Sequence, residues 1–221
     1  MGRVLPILFN TDMVRAILDG RKTVTRRVVR YKYNNTEMKM RTDKYGTRLI
    51  EIQKDIEGET HGKNPDGSTW HKLLPYIEKN PPYKKGDILY VRETYCPNYF
   101  DFVAQSGNKH GYKADYDSAI LSSDIPEPKW IPSIHMPKEA ARIWIRVTDV
   151  RAERLRDMDK MDAVKEGINT RCCVNLAHAL TKFKKLWDST IRRSDTGLYG
   201  WKSNPWVWVI EFERCEKPDD I

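Results

Sequence analysis

Apolar positions change period several times along this chain, and each change marks an element. Val4, Leu5, Ile7, Leu8 and Phe9 make a short apolar run that predicts a strand over residues 4–9. Met13, Val14, Ile17 and Leu18 then recur at helical spacing, so a helix is expected over 11–19, capped at Asn10 or Thr11 and stopped at Gly20. Val24, Val28 and Val29 favour extended chain. From Gly86-Asp87 a strand alternates through Ile88, Leu89, Tyr90, Val91, Arg92 and Glu93. If Leu89 and Val91 point inward, Glu93 enters or rims the interior on the same face, where an ion pair with an arginine would satisfy it. Residues 141–150 alternate again, with Ile143, Ile145 and Val147 opposed to Arg142, Trp144, Arg146 and Thr148. A helix from about Asp157 or Asp159 carries Met158, Met161 and Val164 as its apolar stripe and Gly167 as its stop. Leu176, Leu180, Phe183 and Trp187 predict a third helix over 174–188. Residues 206–212 are nearly continuously apolar and predict a central strand.

Two stretches break this rhythm. Residues 31–80 are polar and rich in Asn, Lys and Gly, with the turn signal Asn64-Pro65-Asp66-Gly67, and within them only 48–53 reads as a strand. They are expected to form a loop-rich insertion. Residues 96–132 are irregular, with a short strand at 111–115 and a rigid, proline-bearing loop after it. His135 follows in an apolar, proline-framed setting, either as a pocket histidine or as a packed loop residue. The expected organisation is α+β, one domain over 1–221, with the strands at Val4, Asp87, Ala141 and Trp206 in one sheet system and 31–80 outside it.

Composition narrows the function. With 39% hydrophobic residues and a mean hydropathy of -0.70, the chain reads as soluble with a modest core. No apolar run approaches the ~18 residues of a membrane span, and no leader-like segment is expected at the N-terminus. Cys96, Cys172, Cys173 and Cys215 lack C-x-x-C spacing and read as reduced thiols of a cytoplasmic protein, with no zinc site. No glycine-rich phosphate loop, metal-ligand spacing or G-x-S-x-G elbow is present, so neither a metal nor another cofactor is expected. Lys+Arg 39 against Asp+Glu 31 gives +8, which favours a polyanionic partner. Arg21, Lys22, Arg26, Arg27, Arg30 and Lys32 cluster, with Tyr31, Tyr33 and Tyr45 interleaved, and Lys182, Lys184 and Lys185 share a later helix. The first cluster fits a base-stacking surface or a solvated face with aromatics packed beneath it.

The chemistry concentrates at residues 19–27. Lys22 and Thr25 would oppose each other in a flat strand, so a turn or bulge is needed to unite them. An amine beside a hydroxyl can activate a weak oxygen nucleophile, and the same residues also fit a basic, solvated loop end. Gly20, Lys22, Thr25 and Arg27 spell G-x-K-x-x-T-x-R directly after the first helix. This resembles the signature of the ASCH domain family, small PUA-like β-barrels linked to RNA. The strand at Gly86-Asp87, the stretch from Leu155 into the acidic helix ending at Glu166, and the closing strand at Trp206 follow in the family's order. The Pro132-Ser133-Ile134-His135-Met136-Pro137 segment is similar to one in phage-encoded members.

The resemblance implies a PUA-like small mixed or antiparallel β-barrel with peripheral helices and a long insertion. It implies RNA or a modified nucleoside as partner. Members that act as amidohydrolases on N4-acetylcytidine imply Lys22 as base, Thr25 as nucleophile and Glu166 as proton donor, with Glu93 and Glu153 as rivals for the last role. The end of a helix disfavours a carboxylate such as Glu166 by ~0.3–1 kcal/mol, and neighbouring arginines would help Lys22 shed its proton. Gly20, Arg21, Arg26, Arg27, Glu93 and His135 are candidates for contacting substrate or nucleic acid. A non-catalytic RNA-binding module and a ribonuclease are the alternatives.

Overall fold

The computed structural model describes residues 2–44, 46–53, 61–63, 65–66, 69–71, 76–97, 110–116, 128–170 and 176–218. Strand β1 (Val4–Leu8) leads to helix α1 (Thr11–Leu18), capped by Asn10, whose side chain accepts the Met13 amide. Gly20 takes φ +71, the left-handed region that favours glycine, and the chain turns back so that the amides of Arg21 and Lys22 both donate to Ala16 O at 2.9 Å. Strand β2 (Val24–Val28) follows, then β3 (Thr36–Asp43), β4 (Gly46–Gln53), β5 (His61–Lys63), β6 (Thr69–His71) and β7 (Tyr76–Glu78). The second half holds β8 (Ile88–Arg92), β9 (Tyr95–Pro97), β10 (His110–Tyr112), β11 (Trp144–Arg154), α2 (Lys160–Lys165), α3 (Leu176–Thr190), α4 (Thr196–Tyr199) and β12 (Trp206–Cys215).

The main sheet has the order β1-β8-β11-β12-β2 and is antiparallel except for the β1–β8 pair. The α+β class and the shared sheet are therefore as expected. A closed barrel is not present among the described residues, because no ladder joins β1 to β2. Pro6 removes a donor from β1, which suits an edge strand. A side chain links the two strands instead, Arg27 Nη2 donating to Leu8 O at 2.7 Å, and Tyr83 Oη, from the segment before β8, donates to Pro6 O of β1 at 2.8 Å.

Both faces of the sheet are covered. Along β12, Trp208, Ile210 and Phe212 join a core with Ile7, Phe9 and Leu89, while Val207 and Val209 join one with Phe183 and Trp187 of α3. Burial on both sides accounts for the continuous apolar run. At ~25 cal/mol per Å² of apolar area removed from water, these two cores supply the main drive for folding.

Several details depart from expectation. Residues 31–80 are not merely loops: β3, β4 and β7 form an antiparallel sheet, and β5 pairs with β6. The polar alternation of β3 hid it, since Met38 is buried while Met40 on the same face is 42% exposed. Tyr45, Cys172 and Cys173 lie outside the described residues. Strand β11 runs past 150 to Arg154 because a bulge between Val147 and Asp149 resets its register. Trp144 is buried against Tyr90, with ring centroids 5.9 Å apart, so the β11 face it shares with Arg146 is apolar at its start. In α2 the buried residue is Ala163, whereas Met161 is exposed, because six helical residues present only one narrow stripe.

Candidate active site

The turn after α1 meets the end of α2. Lys22 and Glu166 form an isolated antiparallel bridge, and Thr23 N donates to Lys165 O at 2.9 Å. Gly167 makes this approach possible. Its φ is +95, and a Cβ there would stand 2.7 Å from Ala16 Cβ and 3.0 Å from Lys22 Cβ. Arg21 closes the junction from outside, donating to Gly167 O at 2.6 Å and to Asp19.

Lys22 is sealed within this junction, its side chain at 0% exposure. Its Nζ donates to Glu166 Oε2 at 2.7 Å, Glu166 O at 2.9 Å and Val24 O at 2.7 Å. Those three acceptors match the three N–H bonds of an ammonium. Burial pushes the Lys22 pKa below the ordinary lysine value, Glu166 opposes that push, and Arg27 and Arg26 add to it. The lysine is thus drawn toward neutrality by its surroundings while its hydrogen bonds favour the cation.

Glu166 is the C-cap of α2 and is held from two sides. Lys22 takes Oε2, and Arg26 Nη1 stands 3.3 Å from Oε1. Arg26 also pairs with Asp162 at 2.9 Å and lies 3.8 Å from Glu153. Glu153 is itself paired with Arg151.

Along β2 the faces alternate. Val24 and Val28 pack with the α3 core, so Arg26 between them points to α2. Thr25, Arg27 and Val29 face the other core. Arg27 covers the Phe9 ring at 5.4 Å from its centroid, and Lys22 Nζ stands 5.6 Å from the same centroid. Lys22 reaches around the start of β2 and so comes to a ring that also borders the Thr25 face. Thr25 is buried at 3% exposure, and among the described residues its hydroxyl has no hydrogen-bond partner. It is hydrogen-bonded to neither Lys22 nor Glu166.

Glu93 and His135 do not join this group through any hydrogen bond or ion pair among the described residues. Glu93 is buried against Arg142, which grips both its oxygens at 2.9 and 3.1 Å, and burial pushes its pKa up while Arg142 opposes. Arg142 in turn holds Asp115 and lies 3.9 Å from the Tyr112 ring centroid. His135 ends a 3-10 turn and is exposed, while its neighbour Met136 fills the interior beside the Glu93 amide. Gly20 supplies the turn at the end of α1.

The basic cluster is divided. Lys22 and Arg26 are buried in ion pairs, Arg21 is tied to Asp19, and Arg30 and Lys32 remain exposed. Neither Asp162 nor Phe9, the latter expected only as part of the first strand, was a candidate site residue from the sequence. The i, i+4 spacing of Asp162 and Glu166 was the available signal for the first; for Phe9 none was. Among the described residues no group of three His, Cys, Asp or Glu is placed to hold a metal ion, and no helix is long and apolar enough to cross a membrane. Comparison of the chain with family models, with curated proteins and with solved structures finds no match.

Proposed function

We propose that the protein is an RNA-related amidohydrolase of the ASCH type that removes the acetyl group from N4-acetylcytidine or a related modified nucleoside. The fold belongs to the same proposal: a PUA-like barrel whose β1–β2 seam is closed by side chains. One observation carries the reading. A lysine and a glutamate 144 residues apart in sequence meet at 2.7 Å in a sealed junction, beside a strand that carries the buried residue Thr25.

The pair supplies both proton carriers. Transfer of one proton from Lys22 Nζ to Glu166 Oε2 turns an ammonium and a carboxylate into an amine and a carboxylic acid. Burial, which lowers the Lys22 pKa, eases loss of that proton. The amine takes the Thr25 proton as the threonine oxygen attacks the acetyl carbon. The acid gives its proton to the exocyclic nitrogen as the C–N bond breaks, releasing cytidine. Water then cleaves the threonine ester to acetate, which restores the hydroxyl.

A second reading has its own support. All three ammonium N–H bonds are used, as in a structural pin, and that suits a non-catalytic RNA-binding module. Incubation of the purified protein with acetylcytidine, free and within a short RNA, separates the two by chromatography. Release of cytidine and acetate is expected. Binding of the RNA without turnover would leave the module.

A further inference from the structure

We infer that Arg26, anchored by Asp162, is a positioning residue for the Lys22–Glu166 pair: it fixes Oε1 so that Oε2 faces the lysine and alone exchanges its proton. The inference rests on the reading of that pair as base and acid. The Arg26 side chain is 1% exposed and forks between two carboxylates of one helix face, Glu166 Oε1 at 3.3 Å and Asp162 Oδ2 at 2.9 Å. A guanidinium can span two acceptors in a fixed plane, which a lysine cannot. Asp162 is held in turn by the capping box with Asp159, at 2.7 and 3.3 Å. The arginine is kept despite a buried Nε without a partner, so its two Nη groups are what the site uses.

A carboxylate free to rotate would present either oxygen to Lys22. With Oε1 occupied, the proton moves along one path: the Nζ–H bond breaks and the Oε2–H bond forms. The charges facing Lys22 are Glu166 from α2 and Arg26 and Arg27 from β2, with Asp162 of α2 and Glu153 of β11 behind Arg26. Arg26 competes with Lys22 for Glu166, and Asp162 offsets Arg26. Removing either charge must therefore move Lys22 in opposite directions, which loss of a merely structural contact would not do.

The test follows the Lys22 Nζ resonance against pH in protein labelled with nitrogen-15 at lysine side chains. Arg26→Met leaves Glu166 to Lys22 alone and should raise the titration by about one pH unit. Asp162→Asn leaves Arg26 uncompensated and should lower it by a similar amount. Shifts in the same direction, or no shift in Asp162→Asn, overturn the inference. Should Arg26→Met fail to fold, the sign in Asp162→Asn decides alone, since that side chain is 20% exposed and its backbone cap is retained. Acetyl release read in parallel keeps the claims apart. A wild type without turnover removes the catalytic reading while the titration still decides the role of Arg26. Turnover with an unmoved titration removes that role only.

Discussion

Lys22 is the largest fully buried side chain among the described residues, and a buried ammonium is expensive unless paired and fully hydrogen-bonded. Glu166 provides the countercharge, so Glu166→Gln leaves an uncompensated cation in the interior. The expected loss of stability in urea unfolding is about 3–5 kcal/mol; a loss below about 1 kcal/mol would mean that the pair is not sealed in solution. The lysine was legible as a candidate because a glycine stop and a hydroxyl stood beside it. Its burial was not, since a run of basic residues reads as a solvated face. What buries it is the approach of Gly167, 145 positions later in sequence. The same blindness applies to Glu93: its strand face was readable, but its partner Arg142 comes from another part of the fold.

Elements hold these residues through two further devices. Gly167 lets the end of α2 touch α1, and Gly167→Ala would place a methyl 2.7 Å from Ala16 Cβ at a φ of +95. A stability loss of about 1–3 kcal/mol is expected in thermal unfolding, and an unchanged midpoint would contradict the packing. In β4, Glu51 pins the chain after β2. Burial raises its pKa, but Lys79, Thr36 and the amides of Tyr33 and Lys32 outweigh that and hold it at about 2, below the ordinary 4.5. A depressed carboxylate contributes stability that is present above 4.5 and is lost as pH falls toward 2. Glu51→Gln should therefore flatten the pH dependence of unfolding in that window; an unaltered slope would contradict it. The strand carrying Glu51 was readable from Arg48 to Gln53, whereas its partner β3 was not. A two-sided, mostly polar strand has no period strong enough to separate it from loop.

Over the whole molecule, the charge of +8 suggested a groove of phosphate contacts, but the first cluster is largely spent inside. Arg30 and Lys32 stay exposed, Arg30 with Asp195 at 3.5 Å. On single-stranded RNA each phosphate contact adds about 0.7 to the slope of log affinity against log salt, so that cluster supports a slope of only about 1.5. A slope of about 4 or more would place the RNA on another surface. The sheet system was legible because its strands are apolar on at least one face. The open β1–β2 seam was not, because it depends on side chains of Arg27 and Tyr83, distant in sequence, reaching backbone carbonyls of β1. The same seam borders the face that bears Thr25, on which the proposed chemistry turns. Turnover of N4-acetylcytidine by the wild type, Thr25→Ser and Thr25→Ala tests that chemistry most directly. Cytidine release by the wild type, a reduced but measurable rate with serine, and none with alanine in a protein that still folds is the expected result. Wild-type activity retained by Thr25→Ala, or no turnover by the wild type itself, would contradict it.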